Sequence, residues 1–496
     1  VTIQKGVPKL PKKVPCDYTT SMTKDEEIAQ LRQENETLRA GLKQALLAIE
    51  FLQERVKELE RQKAKESHNS SQPPSSDRFV RPPKSLRQKS GKKPGGQPGH
   101  RGHHLHQVET PDEVLIHAVE QCEQCQQDLR EQPASYPEHR QVVDLPKKRL
   151  WVKEHRVQEK SCPHCAHVTR ASFPPQVKAA AQYGQGIAAL AVYLVEGQVV
   201  PYARASQVLH DLFGIQLSAG SIASFVEQCH ASLAPVEQHL KMTLHQQPLL
   251  HLDETPMRVG TAHRWVHVSG TQHLTHYAAH LKRGGEALDA IGIVTDYQGT
   301  IVHDGWTAYQ AYSCQHALCN VHHLRELTFL EEQYQQEWAR QMKNVLLEMK
   351  AAVETATLAG KRELDVLALG RFHRRYELTL ALGYQANPPP APVKKTHGGH
   401  TKQHPARNLL DRLSQHKWHV LAFLIDFTVP FSNNQAERDL RMLKVQQKVS
   451  GCFRTEPGLT RFCRIRSSLS TLRKQGLPLL SALEQTLAGH PLLPAF

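Results

Sequence analysis

The chain has 496 residues, a hydrophobic content of 39% and a formal net charge of +14 at pH 7. This length exceeds one ordinary domain, so about three or four folding units are expected. The charge favours a polyanionic partner, above all nucleic acid, although a basic protein with a merely solvated surface stays an alternative. No apolar run is long enough to cross a bilayer, which argues against a membrane protein.

Cysteine usage and the N-terminus indicate a reducing compartment. The 10 cysteines are scattered along the chain and do not resemble the disulfide framework of a small secreted protein, so thiols free for metal binding are expected. The basic N-terminus has no apolar segment after it, which predicts a cytoplasmic protein without a secretory signal. Residues 1–23 are interpreted as a basic extension, and a first residue that is valine leaves the true start open.

Residues 24–64 predict a coiled-coil dimerisation helix. The a positions of the heptads are Ile28, Asn35, Leu42, Ile49 and Val56, and the d positions are Leu31, Leu38, Ala45, Leu52 and Leu59. Branched residues at several a positions, leucine at most d positions and a seam asparagine favour a parallel two-stranded coil. A homodimer is therefore expected, with a helix packed inside its own chain as the alternative.

Residues 65–110 are rich in Ser, Pro, Gly, Lys and Arg and bury too little apolar surface to fold alone. They predict a basic disordered linker, which either lies along DNA or serves as a solvated tether.

Residues 111–175 predict a zinc ribbon that binds DNA. Cys122 and Cys125 form one C-x-x-C pair, and Cys162 and Cys165 form a second. Four thiolates can hold a structural Zn²⁺ tetrahedrally, with His164 or His167 as a substitute ligand. The segments 140–145 and 150–159 between the pairs are predicted to be strands. Cysteines without a metal role are the alternative.

Residues 176–247 predict a helical region that resembles a helix-turn-helix. A helix up to Gly214 precedes a second helix that Ser218 would cap. An ordinary helical hairpin within a bundle is an equally good interpretation, because the motif has loose sequence requirements.

Residues 248–330 predict the first part of an RNase H-like α/β core. Strands are expected at 249–252, 263–268, 274–280 and 300–303, with a helix at 285–291 and a helical stretch after Trp306. Three strands that can form a meander, then a helix and a further strand, is the order of that core. Asp253 and Asp304 each end an apolar strand. Residues 331–428 are predicted to be a helical insertion.

Residues 429–496 predict the second part of the core, with Glu437 in the first two turns of a helix. Ser432 is expected to be its N-cap, with Gln435 completing a capping box. A charged face carries Glu437, Arg441, Lys444 and Lys448, and an apolar stripe carries Ala436, Leu440 and Leu443. A solvated face with a Glu–Arg pair is the simpler interpretation of this helix alone. The two strand-end aspartates favour a metal site instead.

The three carboxylates Asp253, Asp304 and Glu437 are predicted to hold catalytic Mg²⁺ or Mn²⁺, because these ions prefer oxygen ligands. Two such ions suit the cutting of one DNA strand and the joining of the freed 3′-OH to a second DNA.

Several motifs resemble the transposases of the insertion sequence sixty-six family. They are His251-Leu-Asp253-Glu-Thr, Asp304-Gly-Trp-Thr-Ala-Tyr, Cys319-Asn-Val-His322-His-Leu-Arg-Glu and Pro430-Phe-Ser-Asn-Asn-Gln-Ala-Glu437-Arg-Asp-Leu-Arg, together with the linker, the paired cysteines and the zipper. The resemblance runs from about Lys24 onward.

The resemblance implies a DDE transposase with Asp253, Asp304 and Glu437 as its metal-binding triad. It also implies that Lys444 meets a DNA phosphate, and we extend this expectation to Arg438, Arg441 and Lys448. Expected partners are DNA, as terminal inverted repeats and target, and accessory proteins of the same element, at the bacterial nucleoid. Cys319 and His322 are either support for the core or metal ligands. An RNase H-like nuclease that only cuts and a non-catalytic DNA-binding regulator are the alternative functions.

Overall fold

The computed structural model describes residues 23–66, 68–70, 107–133, 140–143, 150–165, 167–389 and 403–494. The predicted basic extension, apart from its last residue, and most of the predicted basic linker lie outside these residues. Within them the chain is a mixed α and β protein with fifteen α-helices, a two-stranded sheet and a five-stranded sheet. The expected α+β class is therefore confirmed.

The first helix, α1, spans Lys24–Lys63 and confirms the helix expected there. It begins where the backbone N–H of Thr23 donates to the Glu26 carboxylate at 2.9 Å, which satisfies a donor that the first turn leaves open. Most of its large apolar side chains are exposed, with Leu38 at 72% and Leu42 at 63%. The helix thus carries an apolar surface that the described part of the chain leaves exposed.

The cysteine-rich region contains a short antiparallel hairpin of β1 (Glu159–Ser161) and β2 (Val168–Arg170). The strands predicted at 140–145 and 150–159 are wrong for residues 140–143 and 150–158, which form no strand, while 144–149 lie outside the described residues. Backbone bonding here is local: the N–H of Cys162 donates to the carbonyl of His167 at 2.8 Å. The turn around the cysteine pair, and not the apolar stretch before it, organises this hairpin.

Four α-helices and a π-helical turn form the region before the large sheet. They are α2 (Gln185–Val192), the π-helical turn (Tyr193–Gly197), α3 (Tyr202–Phe213), α4 (Ala219–Ser232) and α5 (Ala234–His245). Helix α3 ends at Gly214, whose φ of 71° lies in the left-handed region that favours glycine. Helix α4 begins where the Ser218 hydroxyl accepts the N–H of Ser221 at 3.0 Å. Both predicted helix boundaries are confirmed.

The large sheet has the strand order β5-β4-β3-β6-β7. Its strands are β3 (Leu249–Val259), β4 (Ala262–Gly270), β5 (Thr275–His280), β6 (Thr300–His303) and β7 (Gln315–Leu318). Strands β3, β4 and β5 form an antiparallel meander, while β3, β6 and β7 are parallel. The four expected strands are confirmed. The helical stretch expected after Trp306 is wrong in part, because a 3₁₀ turn at Thr307–Ala311 is followed by β7.

Helices cover both faces of this sheet. Leu250 and Leu252 of β3 pack with α5 and with α6 (Gly285–Ile291). Met257 and Val259 of the same strand pack with α13 (Asn434–Val449) and α14 (Glu456–Lys474) on the other face. Because successive side chains of a strand point to opposite faces, the odd-numbered Asp253 belongs to the face that α13 covers.

The remaining helices form two further cores. The helices around β6 and β7 begin with α7 (Asn320–Tyr334), most of which precedes the insertion predicted at 331–428. The helices within that range are α8 (Glu337–Leu358), α9 (Val366–Ala386), α10 (Pro405–Gln415), α11 (Lys417–Val420) and α12 (Ala422–Ile425). Helix α15 (Leu479–Leu487) packs with α14 against the helices before the sheet. The end of α1 rests on α7, where the hydroxyl of Tyr334 donates to Glu58 at 3.0 Å.

Candidate active site

Two aspartates lie side by side on neighbouring parallel strands, Asp253 inside β3 and Asp304 directly after β6. The expectation that Asp253 ends a strand is wrong, because β3 continues to Val259 in its pairing with β4. The register pairs Leu249 with Thr300 and His251 with Val302, and its continuation at the same offset places Asp253 opposite Asp304. Adjacent strands are about 4.8 Å apart, so side chains in register on one face are neighbours. Asp253 from the middle of β3 and Asp304 from the end of β6 therefore place their carboxylates together, at a position called the acidic edge below.

Local hydrogen bonds hold both carboxylates. An oxygen of Asp253 accepts the N–H of Glu254 at 2.8 Å, and an oxygen of Asp304 accepts the N–H of Trp306 at 3.0 Å. The turn after Asp304 passes through Gly305, whose φ of 94° would strain a residue with a Cβ. Each aspartate keeps further lone pairs that can accept a proton, a hydrogen bond or a cation.

Glu437 approaches the same edge from α13. It lies in the first turn of this helix, whose Ala436, Leu440 and Leu443 are buried against the sheet, as predicted from the apolar stripe. Burial raises the pKa of Asp253 to about 8, and the carboxylates of Glu254, Asp304 and Glu437 add to the rise. The acidic groups are thus close enough to repel one another.

Asn433 connects the elements that carry the carboxylates, and sequence reasoning missed it. Its side-chain amide donates to the carbonyl of Leu252 at 2.7 Å and accepts from the ring of His251 at 2.8 Å. Its backbone N–H donates to the sulfur of Cys319 at 3.1 Å. The start of α13 is thereby tied to the first half of β3 and to the start of α7.

The expected N-cap of α13 is wrong. The helix begins at Asn434 with Asn433 as N-cap, and no side-chain hydrogen bond caps it, so Ser432 and Gln435 form no capping box. The physical reason is that the Asn433 amide is engaged by β3. A pair of asparagines before a helix was the available signal for a polar contact at this position.

A second network links β3 to the turn after β6 through Glu254, which sequence reasoning also missed. This buried carboxylate accepts from the Arg283 guanidinium at 2.6 Å and from the Tyr309 hydroxyl at 2.5 Å. Arg283 in turn stacks over the ring of Trp306, 4.1 Å from its centroid. Because Tyr309 and Trp306 follow Asp304, this network fixes the turn after β6 against β3.

The four basic residues predicted to contact DNA lie on α13 at different depths. Lys444 is half-buried, and burial lowers its pKa while the Asp253 carboxylate opposes that shift. Arg438, Arg441 and Lys448 are exposed, and Arg438 donates to the side chain of Gln435 at 2.8 Å. A cationic group therefore lies beside the acidic edge, with further cations on the outer surface of the same helix.

Cys319 and His322 lie beside Glu437. The cysteine sulfur, an imidazole nitrogen and a glutamate oxygen are all within 4.8 Å of one another. Cys319 is the N-cap of α7 and is buried, and its burial raises the pKa of the thiol to about 11. The C-x-x-H element predicted to lie near the second aspartate is thus close to the glutamate.

The four predicted zinc ligands form two separate local turns. Hydrogen bonds from the backbone of Cys125 and Gln124 lower the pKa of the Cys122 thiol, and those of Cys165 and His164 do the same for Cys162. Within the described part of the chain, the group at Cys319 is the one cluster of three or more ligand side chains within 4.8 Å. The four cysteines form no such cluster among the described residues, and the zinc ribbon stays a prediction.

The sequence matches two models of known protein families. Residues 180–461 match a family described as Transposase IS66 family, which is more than half of the 496 residues. The chain belongs to the IS66 transposase family. Residues 21–106 also match a family of unknown function, DUF6444. The comparison with curated proteins gave no match.

Membership in the IS66 family confirms the resemblance seen in the motifs and gives the chain a transposase role. The acidic residues, Cys319 and His322 all fall inside the matched segment, whereas the four cysteines between 122 and 165 fall outside both matched segments. Among the described helices, none combines the length and apolarity that a membrane span requires.

Proposed function

We propose that this IS66 transposase cuts DNA at the ends of its insertion element and joins the freed 3′-OH to target DNA. Asp253, Asp304 and Glu437 are assigned as its catalytic carboxylates. The observation that carries the proposal is their placement. The two aspartates lie on neighbouring parallel strands, in register when the pairing of β3 with β6 is continued, and a glutamate from α13 is close enough to raise the pKa of Asp253.

The donor set fits divalent cations such as Mg²⁺ or Mn²⁺. All three side chains offer oxygen ligands, which these ions prefer. Burial and three neighbouring carboxylates raise the pKa of Asp253 to about 8, and a bound cation would relieve that crowding of negative charge. When bound, a pair of such ions supplies an activated water and stabilises the leaving oxygen of the phosphodiester.

The chain's own residues would orient the DNA. Lys444 lies close to Asp253, where its ammonium can meet a phosphate next to the scissile bond. Arg438, Arg441 and Lys448 extend the positive surface along α13, and we assign them to contacts with the DNA backbone. Asn433 ties α13 to β3, and the Glu254 network ties β3 to the turn after β6. These contacts fix the positions of the three carboxylates relative to one another, which in-line attack requires.

We further propose an RNase H-like core, built from residues 248–330 and 429–496 and interrupted by a helical insertion at 331–428. A three-stranded meander followed by two parallel strands, with helices on both faces, supports this assignment.

The other regions are assigned to DNA-end binding and assembly. We propose dimerisation through residues 24–64, DNA contact through the linker at 65–110, a zinc ribbon at 111–175 with Cys122, Cys125, Cys162 and Cys165 as ligands, and a helix-turn-helix-like unit at 176–247. Their task would be to recognise terminal inverted repeats and bring two ends together, with accessory proteins of the same element.

The Asp253→Asn variant tests the catalytic assignment. With Mg²⁺ and DNA carrying the element's ends, we expect wild-type protein to form nicked and joined products. Because removing even the outer partners of a metal site costs about 10–100-fold, loss of this ligand should reduce both products by more than about a hundredfold. Binding of the ends should persist, as measured by a gel-shift assay.

The exposed Asp296 provides the matched control, and Asp296→Asn should leave both products unchanged. Retained cleavage in Asp253→Asn would refute the assignment. A pre-cut end with a 3′-OH separates a transposase from a nuclease, since only a transposase converts it to a joined product.

A further inference from the structure

A second group of ligand side chains lies next to the acidic edge. Cys319 contributes a sulfur, His322 an imidazole nitrogen and Glu437 a carboxylate oxygen, all within 4.8 Å of one another. This group combines a soft thiol, an imidazole and one hard oxygen. Its chemistry therefore differs from that of the all-carboxylate triad, although it shares Glu437 with it.

Two of the three ligands are held rigidly at the start of α7. Cys319 is the N-cap, and the N–H of His322 donates to the Cys319 carbonyl at 3.1 Å, so both side chains lie on one face of the first turn. The sulfur accepts the N–H of Asn433 at 3.1 Å. A backbone N–H that bonds to the sulfur is the kind of outer contact that orients a metal-bound thiolate.

The imidazole of His322 has a nitrogen that makes no hydrogen bond within the described part of the chain. Its Nδ1 is buried and has no hydrogen-bond partner among the described residues. Its Nε2 lies 3.9 Å from an oxygen of Glu437, which is longer than a hydrogen bond. Buried polar atoms without partners are costly. Two ligands separated by a little more than hydrogen-bond distance are, however, suitably placed to share one cation.

We propose that Cys319, His322 and Glu437 bind one divalent transition-metal ion with the preferences of Zn²⁺. A thiolate and an imidazole select such an ion over Mg²⁺, and three protein ligands leave a fourth position open. Because the carboxylate of Glu437 has two oxygens, one can serve this ion while the other faces Asp253. The proposal uses a residue of the proposed triad but requires no catalytic activity.

Cobalt binding to the full-length protein tests the site, because Co²⁺ takes the place of Zn²⁺ and absorbs light when bound to a thiolate. Cys319→Ser keeps an acceptor for the Asn433 N–H, and His322→Gln keeps a polar side chain of similar reach. Each should bind one metal ion fewer per chain than the wild type, counted by mass spectrometry of the metal, and should lose part of the thiolate-to-cobalt absorption. Excess Mg²⁺ should not displace the thiolate-bound Co²⁺ from the wild-type protein.

Matched controls separate this site from the other thiols and from the triad. Cys314→Ser removes another buried cysteine and should bind as much cobalt as the wild type. Asp253→Asn disables the proposed triad and should keep the full thiolate-to-cobalt absorption. The two proposals can therefore fail independently.

A variant with Ser at Cys122, Cys125, Cys162 and Cys165 removes the predicted zinc-ribbon thiols and should retain a thiolate-to-cobalt band from Cys319. Absence of that band, or wild-type metal content in both Cys319→Ser and His322→Gln, would overturn the proposal. Circular dichroism checks folding of every variant, and the zinc-ribbon variant decides the outcome if the Cys319 and His322 variants do not fold.

Discussion

Asn433 bonds to β3 through its side chain and to the start of α7 through its backbone. Its amide bonds to the backbone before Asp253 and to the ring of His251, and its backbone bonds to Cys319. It is buried to 1% exposure, so water does not replace these partners. A residue four positions before Glu437 therefore sets where that glutamate stands relative to the first aspartate.

We expect Asn433→Ala to separate folding from catalysis. Loss of two buried hydrogen bonds should lower the free energy of unfolding by about 1–3 kcal/mol. The displaced Glu437 should reduce the rate of strand cleavage at saturating DNA by about 10–100-fold, as is usual for partners that orient metal ligands. The Mg²⁺ concentration for half-maximal cleavage should rise, whereas the affinity for DNA ends should stay the same.

The neighbouring Asn434 offers a control, because it is exposed at the start of the same helix. Asn434→Ala should change neither the cleavage rate nor the Mg²⁺ requirement. An Asn433→Ala protein that folds and cleaves like the wild type would show that this contact does not position the site.

Helix α13 has a buried apolar side and a charged side. Its apolar stripe is buried against the sheet, and its opposite side carries exposed Arg441 and Lys448 near the half-buried Lys444. The buried stripe fixes the rotation of the helix about its axis, and this rotation directs Glu437 towards Asp253 and Asp304. The exposed cations are those that we propose to contact DNA.

The charged side of α13 gives an element-level prediction. Arg441→Ala and Lys448→Ala should each weaken binding to DNA of any sequence. Each should also reduce the steepness of log affinity against log salt concentration by about 1, because one phosphate contact releases about one counterion. Fluorescence anisotropy over a salt series measures both effects.

Arg473→Ala serves as the matched variant, because Arg473 is an exposed cation at the end of α14. It should leave the salt dependence unchanged. Equal slopes for the wild type and both α13 variants would place the DNA elsewhere.

At the scale of the whole molecule, α1 is a long helix whose apolar side chains are mostly exposed. It has 40 residues, and its apolar a and d side chains are exposed, including Leu52 at 59% and Val56 at 54%. Its contacts with α7 involve only the C-terminal end, through residues such as Glu58 and Arg61. A second copy of the helix would bury the exposed stripe, as the heptad pattern predicts.

We expect Leu38→Asp, a substitution at a central d position, to convert a dimer to a monomer. A charge in the seam of a coiled coil loses its hydration without gaining a partner, which disfavours association strongly. Light scattering after size-exclusion chromatography measures the mass. Ala40→Asp places the same charge at the outermost heptad position and should leave the dimer intact, so equal masses for the two variants would argue against the coil.

Local patterns in the sequence were sufficient for most elements of the fold. The heptad spacing predicted α1, the left-handed glycine at 214 and the capping Ser218 set the bounds of α3 and α4, and apolar runs predicted four strands of the large sheet. These features depend on residues close together in the chain. The strand β7 was missed because its sequence, Gln-His-Ala-Leu, has no β-branched residue, whereas the equally short β6 contains Thr, Ile and Val.

The sequence by itself determined that Asp304 follows an apolar strand and that Glu437 lies near the start of a helix with one apolar side. It placed Asp253 on a strand but ended that strand too early. It also carried the motifs that identify the family. Only the tertiary structure decided what surrounds them. The contact between His251 and Asn433 joins residues 182 positions apart, and the group of Cys319, His322 and Glu437 joins α7 to α13. Such contacts depend on how sheet and helices pack, which no local pattern of residues encodes.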